Sequence, residues 1–344
     1  MRRILRAFPS SAAVAFFREI GVSLHEEAGG KLFPDSNRSR DVLDALLRET
    51  TRVGATLESG RRVLDVARAK SSPGNFMVTT STGDVAATAV VLATGGKSLP
   101  KTGSDGAGFD IARRLGHTIV EPTPALAPLL LTGDDFHREL SGVSQDVELA
   151  IWIDGRVESR LRGAMLWTHF GVSGPVALDA SRHWHRAQID RRTVAITVNF
   201  CPGARFDDVD ADWTRQTLEH PRASVQTVLG TMIPASAAAA LLHRLAIDGG
   251  EALAHFSRDA RRRLARALVE WPLPVAGSRG YNFAEATAGG VALTEVDPST
   301  MGSRICPGLY LVGEMLDVDG RIGGFNFQWA WSTGYVAGRG IAAI

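Results

Sequence analysis

The sequence predicts an α/β fold in which one doubly wound domain is split by an inserted second domain. Two runs of consecutive apolar residues, 89–93 and 309–312, lead into glycine-containing turns, which is typical of strands buried on both faces of a parallel sheet. Between these runs, from 121 to 270, the pattern changes to short strands and then to helices. The chain then returns to α/β character, so we expect the segments on either side of the insert to form one domain.

The bulk composition is that of an ordinary globular protein and excludes several classes. A length of 344 residues suggests two domains, and 44% hydrophobic with 22% charged residues is unexceptional. Since 38 basic and 37 acidic residues leave a net charge of +1, nothing electrostatic favours a nucleic-acid or membrane partner, and we expect a small-molecule substrate. Two distant cysteines fit a reducing cytosol. The basic start is followed by Pro9 and then Arg18, so we predict no signal peptide and a cytoplasmic location, with the oligomeric state open.

The first 120 residues are predicted to alternate helices and strands. Apolar residues at helical spacing predict two helices, capped by Ser10 and Ser39, with a loop at 29–34 between them. The remaining expected elements are the strands Ala55–Glu58, Val63–Ala67, Phe76–Thr80 and Ala89–Ala93 and the helix Gly106–Leu115. Gly106 and Gly108 imitate a dinucleotide fingerprint, but no buried strand leads directly into them and the third glycine is absent. A helix N-terminus is the simpler interpretation.

The insert is predicted to begin at a cluster of prolines and to end at Trp271-Pro272-Leu273-Pro274. Its strands are expected at Leu129–Leu131, Val147–Ile153, Val157–Leu161 and Thr193–Phe200, and Asp154-Gly155 is the turn of a hairpin. A helix is expected from Pro175 to about His185. A wholly helical stretch then covers 208–270.

The stretch Gly313–Gly340 is the main candidate for a ligand site, together with Thr94-Gly95-Gly96. Each glycine turn follows an apolar strand, and ligands of doubly wound sheets bind beyond the carboxyl ends of the strands. Glycine allows the backbone to approach a bulky cofactor where a Cβ atom would collide. Either turn alone could be merely a tight turn. Their occurrence together with Gly323-Gly324 before a final helix favours a cofactor.

The final helix, expected at about 327–340, suggests that this cofactor is a flavin. Its first N–H groups and positive dipole end would face whatever lies beyond Gly324. A reduced flavin is anionic at the pyrimidine edge of its ring, and a helix N-terminus would stabilise that charge. Asn326 and Gln328 can donate and accept hydrogen bonds at the same edge. Asn326 could equally be the N-cap of the helix, and both roles are compatible.

Other polar residues carry weaker signals. His169 with Ser173 suggests a nucleophile and a base, but no acidic partner is evident, so Ser173 is expected to cap a helix and His169 to line a pocket or pack. His183 and His185 are expected on a solvated helix face. No Cys/His cluster has zinc spacing, and the acidic residues at 314–319 lack the order of a calcium loop, so we predict no metal site. No catalytic acid or base can be assigned.

The motifs together resemble the BaiN-like flavoproteins (bile-acid-inducible N type), a group of FAD-containing, NAD(P)H-dependent oxidoreductases. The resemblance extends over nearly the full length and is most specific in 313–334. The other matching stretches, in the order of the family, are 16–22, Leu32-Phe33-Pro34, 91–96, 124–129, 165–175 and 286–291.

The resemblance implies an FAD-binding, Rossmann-like domain of the two-dinucleotide-binding type, made of 1–120 and 276–344. The insert, 121–275, would hold a small β-barrel at about 121–205 and a helical part at about 206–271. NAD(P)H would reduce the flavin, which would pass a hydride to an unidentified substrate. His169 and Tyr281 would be candidates for the substrate pocket. The implied cofactor contacts are Thr94, Gly95, Gly96, Thr287, Gly289, Gly290, Gly313, Glu314, Gly323, Gly324, Asn326 and Phe327.

One part of the family pattern is missing from these residues. The family opens with a strand, a glycine-rich turn for the FAD pyrophosphate, a helix and an acidic residue for the ribose, and Met1 falls beyond that unit. We therefore expect an N-terminally incomplete domain, as a truncated reading of a longer protein rather than a remnant that no longer holds FAD. Two other functions stay open, a non-catalytic binding module and a flavin-dependent hydroxylase.

Overall fold

The structure, a computed structural model, describes residues 1–27, 30–69, 76–133 and 135–342. The chain divides into two compact units, unit 1 with residues 1–122 and 286–344 and unit 2 with residues 123–285. Separate apolar cores lie in the two units, around Leu311 in unit 1 and around Trp167 in unit 2. Unit 1 is therefore discontinuous in sequence.

Unit 1 has the α/β character that the sequence predicts. Its helices are α1 (Arg2–Ala7), α2 (Ser10–Glu19), α3 (Ser39–Arg52), α4 (Ala107–Arg114) and α11 (Phe325–Ala342). Its strands are β1 (Leu24–Glu27), β2 (Lys31–Pro34), β3 (Val63–Arg68), β4 (Phe76–Thr80), β5 (Gly83–Ala87), β6 (Val90–Leu92), β15 (Ala286–Val291) and β16 (Leu309–Leu311), and β7 (Ile119–Ala125) runs from unit 1 into unit 2. Strands β6 and β16 pair in parallel, whereas β3, β4 and β5 form an antiparallel meander.

The predicted helices of unit 1 are present, but two local expectations about them are wrong. Ser10 and Ser39 are the first residues of α2 and α3, and the cap positions belong to Pro9 and Arg38, which make no side-chain cap hydrogen bond. Residues 31–34 are not a loop, because β2 pairs with β1 as a hairpin. The expected loop residue Gly29 lies outside the described residues.

The expected strand at Ala55–Glu58 is also wrong. These four residues adopt no regular structure and are all exposed, with Leu57 at 67%. A strand is stabilised by packing and pairing rather than by its own propensity, and this segment has no buried face to pack. A strand that the sequence did not predict, β5, instead completes the meander beside β4.

Unit 2 combines one sheet with a helical layer. Its strands are β8 (Leu129–Leu131), β9 (Ser144–Ile153), β10 (Arg156–Thr168), β11 (Gly171–Ser173), β12 (Val194–Asn199), β13 (Trp271–Leu273) and β14 (Val275–Ser278). Its helices are α5 (Phe136–Glu139), α6 (Pro175–Ile189), α7 (Phe206–Glu219), α8 (Val225–Met232), α9 (Ala235–Arg244) and α10 (Arg258–Val269). The hairpin predicted at Asp154-Gly155 is confirmed by the pairing of β9 with β10.

The sheet of unit 2 curls strongly. Its strand order is β13-β12-β9-β10-β11-β8-β14. The two edge strands, β13 and β14, are consecutive in the chain and are separated by Pro274 alone. One short segment therefore supplies both edges of the sheet, and the sheet must bend round until those edges meet.

The helical stretch predicted at 208–270 is confirmed as four helices, two of which begin at a serine cap. Ser224 accepts a hydrogen bond from the Thr227 N–H at the start of α8, and Ser257 accepts one from the Ala260 N–H at the start of α10, each at 3.2 Å. Helix α10 buries Leu264 and Leu268 on one stripe, while its arginines other than Arg261 are exposed. No described helix is long and apolar enough to cross a membrane.

Two glycines near the end of α11 provide a matched pair for testing the packing of unit 1. A Cβ atom at Gly338 would meet nothing within 4 Å, whereas one at Gly340 would lie 2.9 Å from the Thr300 carbonyl oxygen. We expect Gly338→Ala to stabilise the protein by about 0.5–1 kcal/mol through helix propensity. Gly340→Ala should destabilise it by about 1–3 kcal/mol, because the Thr300 backbone has to move. Denaturant unfolding checks both signs, and equal effects of the two substitutions would contradict this packing.

Candidate functional site

The two predicted glycine turns lie at the same edge of a parallel strand pair. Leu309 pairs with Val90 and Leu311 with Leu92, and the Val312 N–H donates to the Leu92 carbonyl at 3.2 Å. Both strands thus end side by side. The expectation that the two turns share the carboxyl edge is confirmed.

Gly96 lies where no side chain would fit. A Cβ atom there would overlap the Thr287 side chain and come within 2.6 Å of Glu314 Oε1. Its neighbour Gly95 has a φ of +70°, a left-handed conformation that favours glycine. Three predicted cofactor residues, Gly96, Thr287 and Glu314, therefore meet directly, from three separate segments of unit 1.

Thr287 joins those segments by hydrogen bonds. Its hydroxyl accepts from the Lys97 N–H at 2.7 Å and lies 3.1 Å from the Ser98 hydroxyl, while its own N–H donates to Glu314 Oε1 at 2.7 Å. Thr287 is fully buried and Ser98 nearly so. The loop after β6, strand β15 and the turn after β16 are consequently held as one polar cluster, which we call the Thr287 cluster (Gly96, Lys97, Ser98, Thr287 and Glu314).

Gly313 has a structural role that the sequence did not predict. Its N–H donates to the Thr333 hydroxyl at 2.9 Å, and its carbonyl accepts from the Trp329 indole N–H at 3.1 Å. Both side chains come from α11 and are buried. The turn after β16 is therefore tied to α11. Thr333 and Trp329 were not among the predicted site residues. Their spacing of four residues places two polar groups on one face of an apolar helix, and this pattern could have indicated a buried hydrogen-bonding pair.

Gly289 and Gly290 lie against backbone. Gly289 has a φ of +90°, and a Cβ atom there would lie 2.6 Å from the Glu121 carbonyl oxygen. Gly290 has a φ of +128°, and a Cβ atom there would lie 2.6 Å from the Met315 carbonyl oxygen. Close chain approach is enough to require glycine at both positions. Their predicted contact with a flavin ring stays a prediction.

The start of α11 differs from the expectation in the roles of its amides. The helix begins at Phe325, so Asn326 is its second residue and not its N-cap. The Asn326 side chain accepts from the Gly320 N–H at 2.7 Å and donates to the Gly320 carbonyl at 3.3 Å. Gln328 donates to the Phe8 carbonyl at 2.8 Å. Asn326 therefore closes the loop before the helix, and Gln328 holds the N-terminal segment. The predicted contact of these amides with a cofactor stays a prediction.

The first turn of α11 nevertheless presents main-chain donors. The first intrahelical bond runs from the Gln328 N–H to the Gly324 carbonyl at 3.0 Å, so the preceding N–H groups have no partner within the helix. Space beside Gly324 is open, since a Cβ there would meet nothing within 4 Å, and Phe327 is 69% exposed. Next to Gly323, by contrast, the Phe325 ring comes within 3.3 Å. Helix α11 has 18 residues and begins with this turn. Its free N–H groups and positive dipole end suit an anionic or amide-like ring edge, and the residues present fit a flavin there.

The fingerprint-like glycines 106 and 108 are explained by packing. Gly106 caps α4 at a φ of +84°, and its missing Cβ leaves room for the Lys97 side chain. Gly108 is buried against Thr94 and Met315. Thr94, another predicted cofactor residue, therefore packs on α4 through its hydroxyl.

The predicted pocket residues lie in unit 2. His169, exposed between β10 and β11, packs perpendicular to Phe170 with ring centroids 5.1 Å apart. Tyr281 opens a short 3-10 helix at Tyr281–Phe283. Ser173 does not cap α6 as expected, because it belongs to β11 and Gly174 occupies the cap position.

His185 is not on a solvated face as predicted. It is partly buried, and its Nε2 lies 2.7 Å from the Ser278 hydroxyl. Burial lowers the pKa of His185 to about 4. The ring is therefore neutral at pH 7 and acts as a packing and hydrogen-bonding group.

A Ser–His–Glu arrangement around the buried His117 occurs in unit 1. His117 Nδ1 lies 2.9 Å from Glu295 Oε2, and its Nε2 lies 2.8 Å from the Ser303 hydroxyl. The Ser303 oxygen also accepts N–H bonds from Ile305 and Cys306, at 3.1 and 2.7 Å. Because those bonds occupy its lone pairs, Ser303 cannot attack a substrate, and the arrangement is structural. Among the described residues, no group of three or more His, Cys, Asp or Glu could hold a metal ion.

Comparison with known proteins identifies the family. Residues 1–340 match the model of the HI0933-like protein Rossmann domain. The chain belongs to the HI0933-like Rossmann-domain family. Membership also confirms that the α/β fold includes a Rossmann-type domain.

Characterised relatives extend over nearly the whole chain. A 3-dehydro-bile acid delta(4,6)-reductase of Clostridium scindens is 32% identical over 99% of this chain and 82% of its own length, which confirms the resemblance to the BaiN-like proteins. Ribosomal RNA dihydrouridine synthases are also similar. That of Haemophilus influenzae is 29% identical over 96% of this chain and 79% of its own length, and that of Escherichia coli 30% over 94% and 77%.

Proposed function

We propose that this protein is an FAD-dependent oxidoreductase that reduces a ring carbon–carbon double bond conjugated to a carbonyl group. The observation that carries the proposal is the open, donor-rich start of α11, fixed beside the Thr287 cluster through Gly313. The names of the relatives support the reaction class. By name, one relative is a 3-dehydro-bile acid delta(4,6)-reductase and two are ribosomal RNA dihydrouridine synthases, and the reaction that we propose is common to the chemistry of both names.

The residues of unit 1 would hold the cofactor rather than react. When bound, FAD would supply hydride transfer from NAD(P)H to the substrate. The N–H groups at the start of α11 would favour negative charge on the ring edge. The Thr287 hydroxyl would keep the turn at Gly95 and Gly96 in place by accepting from the Lys97 N–H, and Glu314 would fix β15 against the turn after β16. His169 and Tyr281 remain candidates for substrate contact from unit 2.

A direct test uses purified 1–344 with and without added FAD. We expect visible flavin absorbance after gel filtration, and anaerobic bleaching of that absorbance by NADH or NADPH. Dihydro product should then form from a conjugated ring ketone or from uridine-containing substrate. Protein that stays colourless after FAD addition would favour the non-catalytic alternative. Product that carries oxygen from O₂ would favour the hydroxylase alternative.

A further inference from the structure

A cavity of about 140 Å³ lies within unit 2, beside the segment that supplies both edges of the curled sheet. Its walls come from four elements, with Leu131 on β8, Phe136 on α5, Trp167 on β10 and Trp271 on β13. Pro274, between β13 and β14, also lines the cavity and is exposed, so one wall lies at the protein surface. All of these residues belong to unit 2.

The aromatic rings of the cavity wall are held by packing and by the backbone. The Phe136 ring centre lies 5.6 Å from that of Trp167, edge-on, and 4.8 Å from that of Trp271. The Trp167 main-chain N–H donates to the Val143 carbonyl, and its carbonyl accepts from the Gly142 N–H, each at 2.9 Å. Contacts outside the cavity therefore hold its walls in place.

The indole N–H of Trp167 is a buried donor that has no acceptor in the part of the chain that the structure describes. Buried indole N–H groups usually have a partner, because burial removes the water that would otherwise accept the hydrogen bond. Trp213 is a second fully buried tryptophan with such an N–H, but it does not line the cavity. At Trp167 alone, an unpaired donor and the cavity occur together.

The volume, walls and polar groups of the cavity restrict its occupant. A cavity of about 150 Å³ with apolar walls accepts benzene, so the cavity of unit 2 has room for one six-membered ring. No described lysine, arginine or carboxylate lines it, which disfavours a charged ligand. His137, which is 5% exposed, also lines it, and a neutral imidazole offers one donor and one acceptor. A small, uncharged ring with an acceptor satisfies these conditions.

We propose that the cavity of unit 2 binds a small, uncharged aromatic molecule whose hydrogen-bond acceptor receives the indole N–H of Trp167. The ring lies among Phe136, Trp167 and Trp271, where aromatic groups are stabilised by offset or edge-on contact. Residues of unit 2 alone build this site, so it does not depend on the proposed function.

Benzene and pyridine are the probes, because they have the same shape and only pyridine carries an acceptor. Binding to the full chain is followed by NMR of the indole N–H groups, at a pH where pyridine is uncharged. The chain has 7 tryptophans, and the Trp167 signal is identified by its loss in Trp167→Phe. We expect pyridine to move this signal downfield in a saturable way, because a hydrogen bond deshields the proton, and benzene to cause no downfield shift.

Trp167→Phe also tests the donor directly. The substitution removes the N–H and enlarges the cavity for both probes alike, so the ratio of pyridine affinity to benzene affinity isolates the hydrogen bond. We expect this ratio, measured from the remaining indole signals of the cavity wall or by calorimetry, to fall by about fivefold to tenfold.

Leu131→Phe should fill the cavity from β8 and abolish binding of both probes. Leu130→Phe is the matched control, since neighbouring residues of a strand point to opposite faces and Leu130 does not line the cavity. Trp213 is the internal control, because its buried, unpaired N–H lies away from the cavity lining and its signal should not move. If Leu131→Phe does not fold, the affinity ratio in Trp167→Phe decides.

A Trp167 signal that pyridine does not shift downfield would overturn the proposal, as would an unchanged affinity ratio in Trp167→Phe. Equal shifts of the Trp167 and Trp213 signals would show that the probe enters the core without a specific site, and would overturn it too.

Discussion

Gly96→Ala should lower the free energy of unfolding by about 2–3 kcal/mol, the upper part of the range of about 1–3 kcal/mol for overpacked buried sites. The new methyl group would overlap the buried Thr287 side chain and come within 2.6 Å of Glu314 Oε1. Thr287 has no free direction in which to move, because its hydroxyl and N–H are both engaged. The substitution should therefore separate the three segments of the Thr287 cluster.

The same substitution should also weaken FAD binding. The turn containing Gly95 and Gly96 would have to be re-formed on binding, which should lower the affinity by at least about tenfold, equivalent to 1.4 kcal/mol. Urea unfolding measures the first effect, and titration with FAD followed by flavin fluorescence measures the second. Gly338→Ala, which adds the same methyl group in open space, is the control for both.

Two further substitutions separate steric overlap from the loss of hydrogen bonds. Glu314→Gln keeps an acceptor oxygen for the Thr287 N–H and should leave both quantities close to those of the unmodified protein. Thr287→Val keeps the shape but removes the hydroxyl that accepts from the Lys97 N–H, and the loss of that buried hydrogen bond costs about 1–3 kcal/mol. A normal affinity for FAD in Gly96→Ala would show that the Thr287 cluster does not form part of the cofactor site.

The glycines of this site could be predicted from sequence because their requirement is local. An apolar strand followed by glycine states both where a strand ends and that backbone must approach something closely. The group that the glycine backbone approaches is distant in sequence. At Gly290 it is the Met315 backbone, and at Gly313 the neighbours are Thr333 and Trp329 on α11. The pattern alone does not distinguish a neighbouring chain segment from a cofactor.

The amides of α11 show the same limit more strongly. Gln328 donates to Phe8, which lies 320 positions earlier in the chain, and no spacing rule connects the two. Asn326 binds Gly320, six positions away, across a loop whose shape depends on the surrounding residues. Both residues have side chains that suit a flavin edge, so donor chemistry alone favoured the cofactor interpretation. The tertiary fold gives these amides partners within the chain, in the loop before the helix and in the N-terminal segment, and their contact with a cofactor stays a prediction.

Secondary structure was predictable where burial and periodicity agree. The hairpin of β9 with β10 and the helices of 206–269 have clear patterns and are present. The segment 55–58 has only short-range strand propensity and no buried face, and it forms no strand. Ser10 and Ser39 do not cap α2 and α3 as predicted. Ser224 and Ser257, by contrast, do cap α8 and α10.

Glu148 on β9 is a buried carboxylate that no sequence pattern indicated. Its side chain is 4% exposed and pairs with Arg162 at 2.6 Å and Arg160 at 3.0 Å. Burial alone would raise the pKa of Glu148, but hydrogen bonds and charge from Arg162 and Arg160 outweigh it and lower the pKa below its ordinary value. The pair of arginines therefore keeps a buried charge in unit 2.

Replacing both arginines, Arg160→Met with Arg162→Met, should destabilise unit 2 by about 3–5 kcal/mol at pH 7, as expected for a buried charge left without a partner. Methionine retains much of the apolar stem, so packing changes little. Adding Glu148→Gln to the double variant should recover most of the loss, because the uncompensated charge is removed. A double variant as stable as the unmodified protein would show that Glu148 is hydrated rather than buried.

The contribution of Glu148 to stability should change with pH in opposite directions in the unmodified protein and in the variant with Arg160→Met and Arg162→Met. In the unmodified protein the pKa of Glu148 is lowered on folding, so its contribution is complete above the unfolded pKa of about 4.3 and is lost as the pH falls through the folded value. Without the arginines, burial raises the folded pKa above the unfolded one, and the cost of the charge disappears as the pH falls. The difference in unfolding free energy between the two proteins should therefore be largest near pH 7 and shrink towards pH 4, measured by urea unfolding across that range. A constant difference would mean that the arginines act through packing and not through the Glu148 charge.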